Sequence, residues 1–208
     1  NTIAKVNSAV HRIIPIINNG LKKLKIPGGY LVVTQKDKVI AVVSFGNNTV
    51  SSNNPKPVDD YTVFPVSSVS KNITAFVVGA LVDAGIIKWD DKVRKYDKNF
   101  FLHSEELSDK LTIQDLISHC SGFKHFSAID AFKYLNQKPG VFRKYYGYQN
   151  IIFGLIGDIL EKATGEKYED LVKKYIFDKM DMKHSSAIDL KYEKSRMGHM
   201  KYLLERFK

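Results

Sequence analysis

The sequence predicts an α+β fold, a helical domain beside an antiparallel sheet that is incomplete. Three observations carry this. Two β-branched runs stand together near the N-terminus, and helical spacing of apolar residues dominates the middle of the chain. A two-stranded hairpin is only marginally stable by itself, so further strands are needed beside it.

Residues 3–24 place Ile3, Val6, Val10, Ile13, Ile14, Ile17 and Leu21 at helical spacing, and Pro27-Gly28-Gly29 stops the pattern. This predicts an amphipathic opening helix. Residues 30–34 and 39–45 are rich in β-branched types, and the polar Gln35-Lys36-Asp37-Lys38 between them predicts a hairpin turn. The polar stretch 47–60, with Pro55 and Pro57, reads as a surface loop. From Ser68 to Gly85 the apolar Ile73, Phe76, Val77, Ala80, Leu81 and Ala84 recur at three and four, which predicts a long and mostly buried helix. Further helical patterns occupy 113–117, 128–135, 151–163 and 168–176, the third stopped by Gly165. The expected domains are 1–70 (helix, hairpin and approach to the long helix), 71–180 (mostly helical) and 181–208 (a return toward the first).

Composition narrows the function classes. A chain of 208 residues, 44% hydrophobic and 26% charged, buries the core of one large domain or two small interlocked ones. Its longest uncharged apolar run, 73–82, falls far short of the roughly 20 residues that cross a bilayer, so no membrane span is expected. The formal charge of +10 is spread along the chain without one dominant basic block, which argues against nucleic acid as a partner. The single Cys120 excludes an internal disulfide. The chain opens on Asn1, so any targeting segment lies outside it.

Chemistry concentrates at Ser68-Val69-Ser70-Lys71. Ser68 follows a proline-containing approach and falls in the first turn of the long helix, where free backbone N–H groups and the positive dipole end favour developing negative charge. Lys71, three residues on, shares its face and reaches its hydroxyl. A neutral lysine there could take the serine proton as general base. On spacing alone, a plain helix N-cap is the stronger reading of Ser68. A second match to the spacing, Ser121 to Lys124, reads as a loop with a solvated lysine. Tyr148-Gln149-Asn150 stands before the helix near Ile151. Tyr148 could pass a proton to a leaving group, and the Asn150 amide offers an acceptor and two donors to a substrate amide. The competing readings are packing of Tyr148 with Phe142, Tyr145 and Tyr146, and capping of the next helix by Asn150.

Taken together, Phe64-Pro65-Val66-Ser67-Ser68-Val69-Ser70-Lys71-Asn72-Ile73-Thr74 resembles the nucleophile segment of class C β-lactamases and related penicillin-binding proteins. Residues 111–123, ending His119-Cys120-Ser121-Gly122-Phe123, are similar to the family's short helix closed by a His-x-Ser-Gly turn. Pro139-Gly140, then Tyr148-Gln149-Asn150, Gly154, Gly157, Glu161 and Thr164-Gly165, resembles the Tyr-x-Asn segment and its following helix. Residues 175–182 resemble a further family segment.

The resemblance implies the serine β-lactamase/transpeptidase fold, without metal or cofactor. It implies Ser68 as acylated nucleophile, Lys71 as its activating partner, Tyr148 as proton shuttle and Asn150 as substrate-binding residue. His119 is expected to be a structural hydrogen-bonding residue. The implied substrates are β-lactams, D-Ala-D-Ala peptides or small esters, and the implied location is periplasmic or secreted. The pattern departs from the family in one respect: nothing after Tyr148 supplies its Lys-Thr-Gly or His-x-Gly strand, since Gly165-Glu166-Lys167 and Met197-Gly198-His199 have the wrong order. Two readings therefore stand side by side. One is an acyl-enzyme hydrolase; the other is a catalytically incomplete fragment or binding module of the same fold, its open sheet edge completed by a second chain.

Overall fold

The computed structural model describes residues 2–49, 54–100, 105–122 and 142–187. The described residues fall into two compact units, one ending at Pro65 and the other beginning at Val66.

The first unit opens with α1 (Thr2–Lys23), which carries Pro15 inside it and Lys22 and Lys23 in its last turn. The lysines complement the negative end of the helix. Strands β1 (Gly28–Gln35) and β2 (Lys38–Gly46) follow as an antiparallel pair, and α1 packs against β2. The turn is tighter than the predicted four residues, with only Lys36 and Asp37 outside the strands and Lys36 at φ 56°. Val33 pairs with Ala41 but Thr34 with Val39, so the register slips past Ile40. The open end of the ladder, where Gly28 pairs with Gly46, demands glycine on both strands. A Cβ on Gly28 would lie 2.4 Å from the Asn47 carbonyl oxygen, and Gly46, at φ +60°, would meet the Pro27 carbonyl at 2.1 Å. Val10, Phe45 and Val58 are the buried apolar residues of this unit among those described.

The second unit holds the main core. It begins with a 3₁₀ turn (Ser67–Val69) running directly into α2 (Ser70–Asp83), where one continuous helix was expected. Helix α2 ends as its spacing predicts, with Gly85 at φ 71° just beyond. Its Val77, Val78 and Leu81 are fully buried. Short helices α3 (Val93–Tyr96), α4 (Glu105–Lys110) and α5 (Ile113–Ile117) follow, then α6 (Asn150–Thr164) and α7 (Tyr168–Val172). Gly165 closes α6 in the left-handed conformation at φ 74°, the geometry a glycine C-cap supplies. The helix predicted over 168–176 changes character midway, its second half being a π turn (Lys173–Phe177). The predicted helix at 128–135 lies outside the described residues. Ile156, Leu160, Leu171 and Val172 meet the α2 residues, together with Leu116 of α5, in one apolar cluster. Each such side chain contributes about 1.5–3 kcal/mol through burial.

Among the described residues the sheet has two strands. Helices with a small antiparallel sheet are the architecture the sequence predicts.

Candidate active site

The site lies within the second unit and begins with the backbone around Ser68. Ser67 is held at φ 45°, a left-handed conformation that costs a non-glycine residue about 1–2 kcal/mol. The Val69 N–H closes the turn on the Val66 carbonyl at 3.0 Å. The N-cap positions of the 3₁₀ turn and of α2 are Val66 and Val69, and Ser68 occupies neither. The plain N-cap reading of Ser68 therefore gives way: its hydroxyl faces a tyrosine and a lysine.

Ser68 Oγ lies 2.7 Å from the Tyr148 hydroxyl, and Lys71 Nζ donates to it at 3.1 Å. Lys71 lies one turn along on the same face, as the three-residue spacing requires. Its Nζ also stands 5.0 Å from the Tyr148 ring centroid and 5.4 Å from that of Phe153 on α6, within cation–π range. Two aromatic faces thus wall the ammonium. A hydrogen bond from Lys71, a second with Ser68 and the Lys71 charge hold the Tyr148 phenol below its ordinary value of 10.0, against the opposing effect of burial.

The start of α2 is anchored from behind. Thr74, buried, shares a hydrogen bond of 2.7 Å with the Tyr168 hydroxyl and bonds the Ser70 carbonyl at 3.3 Å. Burial raises the Tyr168 phenol, which keeps it a neutral partner.

Tyr148 is positioned by the segment before α6, which is tied to the turn after α5. Arg143 N–H donates to the Cys120 carbonyl at 3.0 Å, and Gly147 N–H to the His119 carbonyl at 2.8 Å. His119 Nδ1 accepts the Gln149 N–H at 3.2 Å. Gly122, at φ +81°, lets the chains approach: a Cβ there would stand 2.9 Å from Phe142 Cα. Farther back, the Arg143 guanidinium clasps the Asp115 carboxylate with bonds of 2.8 and 2.7 Å. Asp115 and Thr112 close a capping box at the start of α5.

Ser68, Lys71 and Tyr148 are therefore brought together across 80 residues of sequence. Asn150 is the first residue of α6 and is exposed, while Gln149, not Asn150, occupies the N-cap position. His119 makes the structural hydrogen bond expected of it, yet it stands closer to the site than the sequence suggested: its ring centroid is 4.6 Å from that of Tyr148. Phe153, the second wall around Lys71, carries no motif and was missed. Its only sequence signal is apolar spacing within α6. Among the described residues no group of three or more His, Cys, Asp or Glu side chains could hold a metal ion, and no helix is long and apolar enough to cross a membrane.

Comparison with known proteins agrees with this architecture. The beta-lactamase family model matches residues 13–203, and the chain belongs to that family. Protein flp of Staphylococcus aureus (strain MW2) is 23% identical over 96% of this chain and 42% of its own length. Penicillin-binding protein 4* of Bacillus subtilis (strain 168) is 27% identical over 71% of this chain and 35% of its own. Among solved structures, a class C beta-lactamase in complex with cefoxitin superposes with a TM-score of 0.71 at 25% identity, covering 88% of this chain and 52% of that one. An octameric penicillin-binding protein homologue from Pyrococcus abyssi gives a TM-score of 0.69 at 24% identity, covering 83% and 43%. The chain spans about half, or less, of the length of these relatives.

Proposed function

We propose that the chain carries the acylation site of a serine hydrolase acting on β-lactams, D-Ala-D-Ala peptides or small esters. In this reading Ser68 is the nucleophile, Lys71 its activating partner, Tyr148 the proton shuttle and Asn150 a ligand for the substrate amide. The observation that supports it most directly is the double hydrogen bonding of Ser68 Oγ, by Tyr148 at 2.7 Å and Lys71 at 3.1 Å. A nucleophile within reach of a base that a third group orients is the arrangement acyl transfer requires.

The steps follow from the contacts. Ser68 Oγ bonds to the substrate carbonyl carbon as its proton passes to Tyr148, whose lowered pKa favours a phenolate able to accept it. The same proton then goes to the leaving nitrogen or oxygen as the acyl bond breaks. Water then attacks the acyl-enzyme, its proton passing to Tyr148 and on to Ser68 Oγ as the ester bond breaks, which releases the acid and regenerates Ser68. Lys71 Nζ, which donates to Ser68 Oγ at 3.1 Å, faces the negative charge that develops on that oxygen. A periplasmic or secreted location accompanies this reading.

A second reading is favoured by the two-stranded sheet of the described residues and by the chain's span of about half the length of its relatives. Here the chain is a catalytically incomplete part of the fold, or a binding module, that a second polypeptide completes. Loss of one oxyanion-hole donor alone costs roughly a hundred- to a thousandfold in rate.

Incubation with a fluorescent penicillin separates the readings. The enzymatic one expects a covalent adduct on Ser68, visible in the intact mass and lost in Ser68→Ala. Absence of that adduct, together with no hydrolysis of a chromogenic cephalosporin or a short-chain ester, sinks it in favour of the second.

A further inference from the structure

His119 stands where the turn after α5 crosses the segment leading into α6, and it holds that segment on both sides of Tyr148. Its carbonyl oxygen accepts the Gly147 N–H at 2.8 Å and its Nδ1 accepts the Gln149 N–H at 3.2 Å. The imidazole is buried, 4.6 Å from the Tyr148 ring at 42° and 5.2 Å from the Phe153 ring at 32°, with Tyr146 meeting its edge at 5.7 Å. The backbone of His119 sits at φ 56°, a conformation that persists only where its surroundings fix it. The rings of Tyr148 and Phe153 that enclose His119 are the same two that enclose Lys71.

We propose that His119 is a positioning residue: as a neutral imidazole protonated on Nε2, it clamps residues 147–149 so that the Tyr148 hydroxyl stays on Ser68. The inference rests on the reading of Ser68 as the nucleophile. Nδ1 must be an acceptor, because the backbone N–H of Gln149 that points at it from 3.2 Å can only donate. A shift of about 1 Å in a catalytic group is enough to cost on the order of a hundredfold in rate. Among the described residues, the charged and titratable groups facing the ring are Lys71 from α2 and Tyr146 and Tyr148 from the clamped segment, while α6 presents the neutral Phe153. Burial first, and the Lys71 charge second, keep the imidazole below its ordinary 6.5 and so in the accepting form. A proton on Nδ1 would set donor against donor, and in the imidazolium, where both nitrogens are protonated, it would also place a second cation beside Lys71.

Two variants and one measurement on the unaltered chain test this. His119→Phe keeps a ring but removes the acceptor; His119→Asn offers an amide oxygen near the Nδ1 position and tolerates a positive φ. Ionisation of Tyr148 is read from ultraviolet absorbance as the difference between each protein and its Tyr148→Phe counterpart. In His119→Phe that ionisation is expected to rise toward the ordinary tyrosine value, and the maximal rate of acylation by penicillin or ester to fall by ~10-fold or more, with little change in the half-saturating concentration. His119→Asn is expected to recover both in large part. Should His119→Phe fold and leave both unchanged, the clamp is refuted. Should it fail to fold, nitrogen NMR of the unaltered chain decides: a neutral Nε2–H tautomer near neutral pH upholds the clamp, and a proton on Nδ1 overturns it. If no acyl donor labels Ser68, the proposed function fails, and the absorbance and NMR results still judge the clamp.

Discussion

The Tyr148 hydroxyl, 2.7 Å from Ser68 Oγ, belongs to a phenol that Lys71 and Ser68 hold below 10.0. If its phenolate is the base, acylation rises with pH as Tyr148 loses its proton. The rising limb then lies on the acid side of an ordinary tyrosine. Lys71→Met removes the largest cause of the shift, so the limb moves to higher pH while the overall rate also drops. The pH profiles of acylation for both proteins report this, and a limb that stays in place excludes Tyr148 as the group titrating. Tyr148→Phe should slow acylation by roughly 10²–10⁴ with the melting temperature little changed. Labelling of that variant at the unaltered rate would remove the residue from the relay. At this scale Ser68 and Lys71 were legible because helical spacing is local. Tyr148 could be placed beside them only through resemblance to a family, since no periodicity links residues 80 positions apart. The His119 contact with a backbone N–H carries no side-chain signature in the partner, and so it was legible as a role but not as a place.

Helix α5 is five residues long and would not persist alone; its capping box and its ion pair hold it in place. Thr112 N–H and hydroxyl both donate to Asp115 Oδ2, at 2.9 and 2.7 Å, while Arg143 donates to both carboxylate oxygens and to the Lys110 carbonyl. Burial alone would raise the Asp115 carboxyl, but the bonds from Arg143 and Thr112 outweigh it and leave the group below its ordinary 3.8. A depressed carboxyl contributes stability above the unfolded value and loses it as pH falls through the folded one. Asp115→Asn is therefore expected to cost about 2 kcal/mol near neutral pH, the order found for hydrogen bonds to a charged group, with half-exposed Arg143 left free to turn to water. Urea unfolding at neutral pH and below pH ~3 checks it, because the difference between the proteins should shrink in acid. A pH-independent difference would mean the cap, not the charge, is what matters. The Thr-x-x-Asp signal of this box was present in the sequence, whereas the pairing of Asp115 with Arg143 arises only from tertiary contact. The helices at 3–24, 68–85 and 151–163 were legible from apolar period. The short α3 and α4 were not, because helices of four and six residues complete too few turns to show one.

Apolar burial is divided unequally between the two units. Among the described residues the first has three buried apolar side chains, Val10, Phe45 and Val58, around a hairpin whose Val32 and Val42 form an exposed pair. The second has the cluster running through α2, α5, α6 and α7. Local opening free energy follows buried apolar contact, and a two-stranded ladder is marginal on its own. Hydrogen exchange followed by mass spectrometry should therefore find the amides of β1 and β2 exchanging at least ~10-fold faster than those of α2 and α6, since ~1.4 kcal/mol of opening free energy is a factor of ten. The concentration dependence of that exchange discriminates further. An edge strand presents unpaired N–H and C=O groups to any chain that can add a strand. If copies of this chain complete one another, protection of the hairpin rises with protein concentration while protection of α2 stays level. If the completing polypeptide is a different one, the hairpin remains fast at every concentration and slows only when that partner is added. Hairpin amides as slow as those of α2 in a dilute monomer would contradict both, and would mean that the sheet is completed from within the same chain.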